Sequence, residues 1–129
     1  MILCDTNILI ELYRNNTDIV DAVEFIKQEN IVISDVTRAE LFVGALNKRE
    51  LQALNKDVNQ LTILPIQSTI STMAIELLVK YCLSHNLDFH DALIAATAIC
   101  HNVELYTLNI KDFIFIPTLK LYHTAHFCS

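Results

Sequence analysis

Short apolar runs alternate along this chain with longer segments in which apolar residues recur every three or four positions. The short runs predict buried strands at 1–4, 31–33, 61–66 and 103–107, with 119–122 as a candidate fifth. The longer segments predict amphipathic helices that begin near Thr6, Asp18, Val36, Lys48, Ser68 and Asp88. Strands that alternate with helices in this way favour a parallel sheet covered by helices on both faces. The predicted fold class is therefore α/β.

The length and composition of the chain fit one domain. It has 129 residues, 53% of them hydrophobic, which is enough for a buried core and too many for a disordered chain. One glycine and two prolines argue against a turn-rich all-β fold. We predict a domain over 1–122 and a peripheral C-terminal tail over 123–129.

The cysteines and the apolar segments indicate the cellular compartment in which the protein is expected. Cys4, Cys82 and Cys100 lie among apolar residues, as small buried hydrophobic side chains do, and no cysteine pair has C-x-x-C spacing. Disulfide bonds are therefore not expected, which fits a reducing cytoplasm. The N-terminus lacks the pattern of a signal peptide, and no uncharged apolar segment is long enough to span a bilayer. We expect a cytoplasmic protein with no membrane contact.

Four acidic residues stand at the edges of apolar segments: Asp5, Glu40, Asp91 and Asp112. Asp5 directly follows the first predicted strand and Asp112 follows the fourth, while Glu40 and Asp91 lie near the starts of helices. Because sites in parallel sheets form beyond the carboxyl ends of the strands, these four side chains are expected to converge there. Carboxylates at close range repel one another unless a divalent cation lies between them. The pattern predicts a Mg²⁺ or Mn²⁺ site, since these hard cations prefer oxygen ligands.

Polar residues beside the acids are candidates for orienting the carboxylates or metal-bound waters, namely Thr6, Asn7, Thr107 and Asn109. Each acid also has a simpler interpretation when it is taken alone. An aspartate after a strand is often only a helix N-cap, and a glutamate on a helix is usually solvated. The metal hypothesis therefore depends on the four acids acting together.

The histidines give weaker signals. His90 precedes Asp91 and is a candidate phosphate donor or proton carrier, although a surface or capping role is more common for such a histidine. His123, His126 and Cys128 suggest a zinc site, but structural zinc sites usually have four ligands and the sequence shows no fourth. An unstructured tail is the favoured interpretation.

The formal net charge of −6 has the wrong sign for a protein that binds nucleic acid through a basic face. Part of the excess belongs to the predicted acidic site, where bound cations would offset it. Lys48, Arg49 and Lys56 form a candidate basic patch, although a solvated helix face is the more common explanation. The chain has no phosphate-binding glycine loop and no G-x-S-x-G motif, which disfavours P-loop hydrolysis and serine-esterase chemistry.

Around these acids the sequence resembles a PIN-domain ribonuclease, in particular the VapC toxins of bacterial toxin–antitoxin pairs. Segments 3–7 and 34–44 resemble the first two motifs of that family, and 107–113 resembles the last. The most specific match is 91–98, which reads Asp-Ala-Leu-Ile-Ala-Ala-Thr-Ala. The resemblance extends from Met1 to about Tyr122. One departure is Thr118, which stands where the family frequently has a glycine after the last proline.

The resemblance implies a fold, an activity and partners. The fold would be a PIN-like three-layer α/β/α sandwich with a central, mostly parallel sheet of four to five strands. The implied acidic quartet is Asp5, Glu40, Asp91 and Asp112, with Mg²⁺ or Mn²⁺ as cofactor and RNA as the substrate of endonucleolytic cleavage. Family members commonly form homodimers and are inhibited by a cognate antitoxin that occupies the active-site groove.

Two other functions remain compatible with the sequence. One is a PIN-like binding module that has kept the acids but acts mainly through a partner. The other is a nuclease that acts on DNA. Divalent-cation affinity separates an enzyme from the binding module, and parallel assays on single-stranded RNA and DNA separate the two nucleases.

Overall fold

The computed structural model describes residues 1–124, and the four strands in this part of the chain form one parallel sheet. They are β1 (Ile2–Cys4), β2 (Ile31–Ser34), β3 (Thr62–Leu64) and β4 (Glu104–Tyr106). Their order across the sheet is β3-β2-β1-β4, so that β1 lies between β2 and β4. The register places Leu3 beside Val32 of β2 and beside Leu105 of β4.

The helices that connect the strands begin mostly at residues whose side chains cap them. They are α1 (Thr6–Tyr13), α2 (Thr17–Ile26), α3 (Asp35–Val43), α4 (Lys48–Val58), α5 (Ser68–Tyr81) and α6 (Phe89–His101). At five of the six starts, a side-chain oxygen of the residue before the helix accepts a backbone N–H of the first turn. These capping residues are Asp5, Asn16, Ser34, Asn47 and Asp88. These polar residues supply the partners that the first turn of a helix lacks, which is why the helices begin there.

The alternation of side chains along each strand separates two hydrophobic cores. Leu3, Val32 and Leu105 point to one face, where they pack with residues of α5 and α6. Cys4 and Ile33 point to the other face, where they pack with residues of α1 and α2. Since neighbouring strand residues face opposite sides, the sheet has helices on both sides. The result is the predicted α/β/α sandwich.

Helix α6 lies deepest in the first core. All residues from Ala92 to Ala98 are buried, and Thr97 satisfies its hydroxyl group by donating to the Leu93 carbonyl oxygen at 2.7 Å. α5 packs along α6 and contributes Ile70, Ala74 and Leu77. A buried helix gives its first turn a fixed position, which matters because that turn carries Asp91.

The prediction of a fifth strand at 119–122 is wrong. Only Leu121 forms an isolated parallel bridge, to Leu105 of β4. The Leu105 N–H donates to the Lys120 carbonyl oxygen, and the Tyr122 N–H donates to the Leu105 carbonyl oxygen, both at 2.8 Å. Tyr122 then packs its ring against Tyr106, with 5.1 Å between ring centroids. The apolar pattern of this segment therefore reflects packing on the edge of the sheet rather than a continuous ladder.

The burial predicted for the cysteines is correct only for Cys4. Cys82 and Cys100 are exposed, and all three are free thiols. Cys82 is the residue that ends α5, and Cys100 lies in the last turn of α6, where its Sγ is 3.9 Å from Met73 Sδ of α5. Apolar neighbours in sequence did not reveal which side of a helix the thiol occupies.

Two predictions concern the C-terminal end of the chain. His126 and Cys128 lie outside the described residues, so the zinc and tail hypotheses remain predictions, as does the division into 1–122 and 123–129. Within residues 1–124, no helix combines the length and hydrophobicity needed to cross a membrane.

Candidate active site

The carboxyl ends of β1 and β4 place Asp5 at the centre of the candidate site. Cys4 and Tyr106 are register partners, and the Asp5 N–H continues the pairing by donating to the Tyr106 carbonyl oxygen at 2.9 Å. Asp5 is only 5% exposed and caps α1, since its Oδ1 accepts the Thr6 N–H at 2.8 Å. A nearly buried carboxyl group is thus fixed at the edge of the sheet where sites are expected.

Residues after β4 hold the other oxygen of Asp5. Thr107 donates its hydroxyl hydrogen to Asp5 Oδ2 at 2.8 Å, and the Asn7 amide lies 3.4 Å from the same oxygen. The Asn109 backbone N–H donates to Thr107 Oγ1 at 3.0 Å, and the Leu108 N–H donates to Asn7 Oδ1 at 3.2 Å. Of the four polar residues predicted to orient the carboxylates, Asn109 therefore contributes its backbone rather than its side chain here.

Glu40 reaches the same edge from α3. Thr6 donates its hydroxyl hydrogen to Glu40 Oε1 at 2.7 Å, which joins α1 to α3. Thr37, one turn earlier on α3 and 1% exposed, has its hydroxyl oxygen 3.3 Å from that of Thr6. On the other side, His90 Nδ1 lies 3.7 Å from Glu40 Oε2. Thr6 thus fixes the Glu40 carboxylate relative to Asp5.

Asp91 lies in the first turn of α6, close to a further aspartate. Asp88 caps this helix by accepting the Asp91 N–H at 2.8 Å, which is the spacing of an N-cap and the third helical residue. No hydrogen bond described within residues 1–124 involves the Asp91 carboxyl group. Its environment is therefore set by burial and by the charges around it.

The electrostatics show that the four predicted acids share one region. Burial, together with the negative charges of Asp88, Asp5, Asp112 and Glu40, raises the pKa of Asp91 from 3.8 to about 7. Burial also raises the pKa of Asp5, and Glu40 adds to this effect, while hydrogen bonds from neighbouring groups oppose it. The charges of three carboxyl groups on other elements, Asp5, Glu40 and Asp112, thus act on Asp91, as expected if the four acids lie in one region.

The donor set fits a hard divalent cation that keeps much of its water. No three acidic, histidine or cysteine side chains among residues 1–124 are close enough together to bind one ion in this conformation. Mg²⁺ is usually held by one or two carboxylates together with waters and substrate phosphates, so a closed cage of protein ligands is not required. All four candidate donors are carboxylates, and their mutual repulsion favours a cation among them.

Two grooves flank Glu40. One, of about 620 Å³, is lined largely by apolar residues of α3 and α6, including Val36, Val43 and Phe89. The other, of about 530 Å³, lies between α1 and α4 and includes Tyr13 and Arg14. Val43 is 87% exposed and Phe89 47% exposed, so apolar surface extends right up to the acidic site.

Comparison with known proteins decides the family. The family model described as the PIN domain matches residues 2–114. The chain belongs to the PIN-domain family. The resemblance drawn from the motifs around Asp5, Glu40, Asp91 and Asp112 is thereby confirmed, together with the fold that it implied.

Two curated relatives of this PIN domain are named as VapC ribonucleases. Ribonuclease VapC10 of Mycobacterium tuberculosis is 32% identical over 122 residues, covering 93% of this chain and 91% of the relative. Ribonuclease VapC1 of Rickettsia felis is 34% identical over 128 residues, covering 93% of each protein. Both alignments span nearly the whole chain, so the similarity to VapC ribonucleases is not confined to the acidic motifs.

Two solved structures with the same fold are of toxin–antitoxin systems. A chain of a toxin–antitoxin complex from Klebsiella pneumoniae superposes with a TM-score of 0.79 at 33% identity, covering 92% of this chain and 95% of that one. A chain of VapBC2 from Rickettsia felis, bound to a DNA fragment from its promoter, gives a TM-score of 0.79 at 28% identity, with 95% and 98% coverage.

The sequence reasoning missed two contributors to this site. Asp88 was treated only as a helix start, yet its charge acts on Asp91 more strongly than that of any other carboxylate. The three-residue spacing between Asp88 and Asp91 was the signal in the sequence that could have indicated their proximity. Thr37 lies beside Thr6 across 31 positions of sequence, and no local pattern could indicate that contact.

Proposed function

We propose that this PIN domain is a Mg²⁺- or Mn²⁺-dependent endoribonuclease and the toxin of a type II toxin–antitoxin pair. The observation that carries the proposal is the pair of contacts by which Thr6 joins Asp5 and Glu40 at the carboxyl edge of the sheet. Asp91 lies within reach of their negative charges, which add to the effect of burial on its pKa. The names of the relatives, which are ribonucleases, support RNA as the substrate.

The metal would be held by Asp5, Glu40, Asp91 and Asp112, with waters completing its coordination. When bound, such an ion activates a water molecule and stabilises negative charge on the phosphate. Of these four acids, Asp112 contributes through a bound water or through its charge, because it lies exposed on the short 3-10 helix Ile110–Asp112.

The chain's own residues prepare this site by fixing carboxylate positions before substrate arrives. Thr107 and the Thr6 N–H each hold one oxygen of Asp5, and the Thr6 hydroxyl holds Glu40. One threonine therefore sets the distance between two of the acids. His90, beside Glu40 and 65% exposed, is placed to approach a phosphate oxygen of the bound RNA strand.

We also propose a cognate antitoxin and a homodimer as the assemblies of this protein, with the cytoplasm as its location. The toxin–antitoxin complexes among the solved structures support the antitoxin. The two grooves beside Glu40 offer exposed apolar surface on which such partners would bury area. The four acids also account for part of the net charge of −6, which is compatible with RNA binding once cations are present.

The direct test is cleavage of single-stranded RNA by the full chain with EDTA, Mg²⁺ or Mn²⁺. We expect cleavage only with a divalent cation, and a loss of about 100-fold or more in Asp5→Asn and Asp91→Asn, as for removal of an essential electrostatic group. Asp21→Asn, an exposed aspartate on α2, is the matched control and should retain full activity.

Three outcomes would contradict parts of the proposal. Unchanged activity in both variants would remove the acids from the mechanism. Faster cleavage of single-stranded DNA than of RNA would reassign the substrate. A folded protein without measurable Mg²⁺ or Mn²⁺ affinity by isothermal titration, and without cleavage, would favour the binding module instead.

A further inference from the structure

A buried hydroxyl group lies behind the candidate active site, where α3 packs against α1. It belongs to Thr37, which is 1% exposed and lies one helical turn before Glu40. The backbone of Thr37 serves the start of its helix, since its N–H donates to Ser34 Oγ at 3.3 Å. A buried hydroxyl group without a partner destabilises the fold, so the side chain of Thr37 needs a partner of its own.

The Thr37 hydroxyl group pairs outside its own helix. A buried helical threonine often donates to the carbonyl oxygen four residues earlier, as Thr97 does to Leu93 at 2.7 Å. Over residues 1–124, the one hydrogen bond described for the Thr37 side chain is instead with Thr6 Oγ1, at 3.3 Å. The hydroxyl group therefore points out of α3 towards the first residue of α1.

The direction of this hydrogen bond follows from the number of hydrogens. A threonine hydroxyl group carries one hydrogen and can also accept hydrogen bonds. Thr6 donates its hydrogen to Glu40 Oε1 at 2.7 Å, which is the shorter bond and has a charged acceptor. Thr37 therefore donates to Thr6, and hydrogen bonds that follow one another in such a chain strengthen each other. We call the chain from Thr37 through Thr6 to Glu40 the threonine relay.

The threonine relay restrains a carboxylate that has few other contacts. The Glu40 side chain is 36% exposed, and His90 Nδ1 lies 3.7 Å from its Oε2, beyond hydrogen-bond distance. Within the described residues, the hydrogen bond from Thr6 is the one that holds the Glu40 carboxylate. Ordering a long flexible side chain costs conformational entropy. A carboxylate that is already ordered when an ion arrives therefore binds that ion more tightly.

We propose that Thr37 is a positioning residue of the metal site, which acts through Thr6 on the Glu40 carboxylate and raises the affinity of the site for Mg²⁺ or Mn²⁺. The inference rests on the proposed nuclease function and adds to it a residue outside the acidic quartet. Because Thr37 is 1% exposed, it acts without contact with the ion or the RNA. The relay holds Glu40 Oε1, so that Oε2 is the oxygen left for a cation.

The test measures the dissociation constant for Mn²⁺ by isothermal titration of the metal-free full chain. Thr37→Val keeps the shape of the side chain and removes the hydroxyl group. It should weaken Mn²⁺ binding roughly three- to tenfold, the effect of one lost hydrogen bond. Thr37→Ser keeps the donor and should retain most of the affinity. Thr97→Val is the matched control, because this buried threonine pairs within α6, and it should leave the affinity unchanged.

A double-mutant cycle tests whether Thr37 acts through Thr6. In a protein that already carries Thr6→Val, the further change Thr37→Val should not weaken Mn²⁺ binding any more, because the relay is already broken. Losses of affinity that add in the double variant would overturn the relay. Side-chain couplings measured by NMR on the metal-free protein give a second readout. Glu40 should populate more rotamers in Thr37→Val than in the wild type, and an unchanged rotamer distribution would also overturn the inference.

Thermal unfolding in EDTA and RNA cleavage separate this inference from a structural role and from the function beneath it. The Mn²⁺ concentration that gives half-maximal cleavage should rise in Thr37→Val by the same factor as the dissociation constant. A Thr37→Val protein that is less stable but binds Mn²⁺ as tightly as the wild type would overturn the inference and leave the nuclease intact. A wild type without measurable Mn²⁺ affinity would overturn the metal-dependent nuclease, and the inference with it.

Discussion

Asp91→Asn should stabilise the metal-free protein while it abolishes cleavage. Burial of the Asp91 carboxyl group, together with the charges of Asp88, Asp5, Asp112 and Glu40, raises its pKa to about 7. An amide of the same shape removes the charge but keeps the volume. The variant therefore removes the repulsion between the Asp91 carboxylate and its acidic neighbours, which in the wild type a bound metal ion would offset.

The size of the effect follows from the pKa of Asp91. A rise from 3.8 to about 7 corresponds to roughly 4 kcal/mol, at about 1.4 kcal/mol for each tenfold change in proton affinity. The first turn of α6 favours a carboxylate by about 0.3–1 kcal/mol, and solvent screens the partly exposed group. We therefore expect a net gain of about 2 kcal/mol, or roughly 8 °C in the unfolding midpoint of a domain of this size.

The sign of the pH dependence is fixed by the direction of the shift. Because the pKa of Asp91 is raised in the folded state, its protonated form contributes stability below about pH 4, and that contribution is lost as the pH rises towards 7. The difference between Asp91→Asn and wild type should thus grow between these values and then level off.

The assay is thermal unfolding in EDTA, monitored by circular dichroism at several pH values from 4 to 8. Asp21→Asn is the control, and as an exposed substitution it should stay within about 0.5 kcal/mol of wild type at every pH. An Asp91→Asn protein no more stable than wild type at pH 8 would refute the electrostatic account. Added Mg²⁺ should reduce the difference in stability between the two proteins, because it should stabilise the wild type more than Asp91→Asn.

Three further predictions concern other residues. Thr6→Val should lower kcat by about 10- to 100-fold in an RNA cleavage assay, because it removes the hydrogen bond to the Glu40 carboxylate; full activity would show that Glu40 needs no such support. Asp112→Asn should lower cleavage less than the same change at the other aspartates of the quartet, and an equal loss would indicate direct metal contact. Burial raises the pKa of Cys4 to about 12, so iodoacetamide at pH 8 should label Cys82 while Cys4 stays unmodified by mass spectrometry; labelling of Cys4 at a similar rate would contradict its burial.

The sequence by itself determined the elements and the two-sided sheet. Successive side chains of a strand point to opposite faces of the sheet because backbone geometry imposes that alternation. Even in strands of three or four residues, this places Leu3 and Cys4 in opposite cores. The helix starts at Asp5, Ser34 and Asp88 were also readable, because capping depends on hydrogen bonds within a few residues.

Only the tertiary structure decided which distant groups meet. The 2.7 Å contact between Thr6 and Glu40, and the 2.8 Å contact between Thr107 and Asp5, join residues far apart in sequence. Whether a strand continues, as 119–122 does not, depends on neighbours across the sheet rather than on local apolar pattern. Periodicity and capping are local and can be read from the chain, whereas cavities and the mutual repulsion of carboxylates depend on distances that folding alone sets.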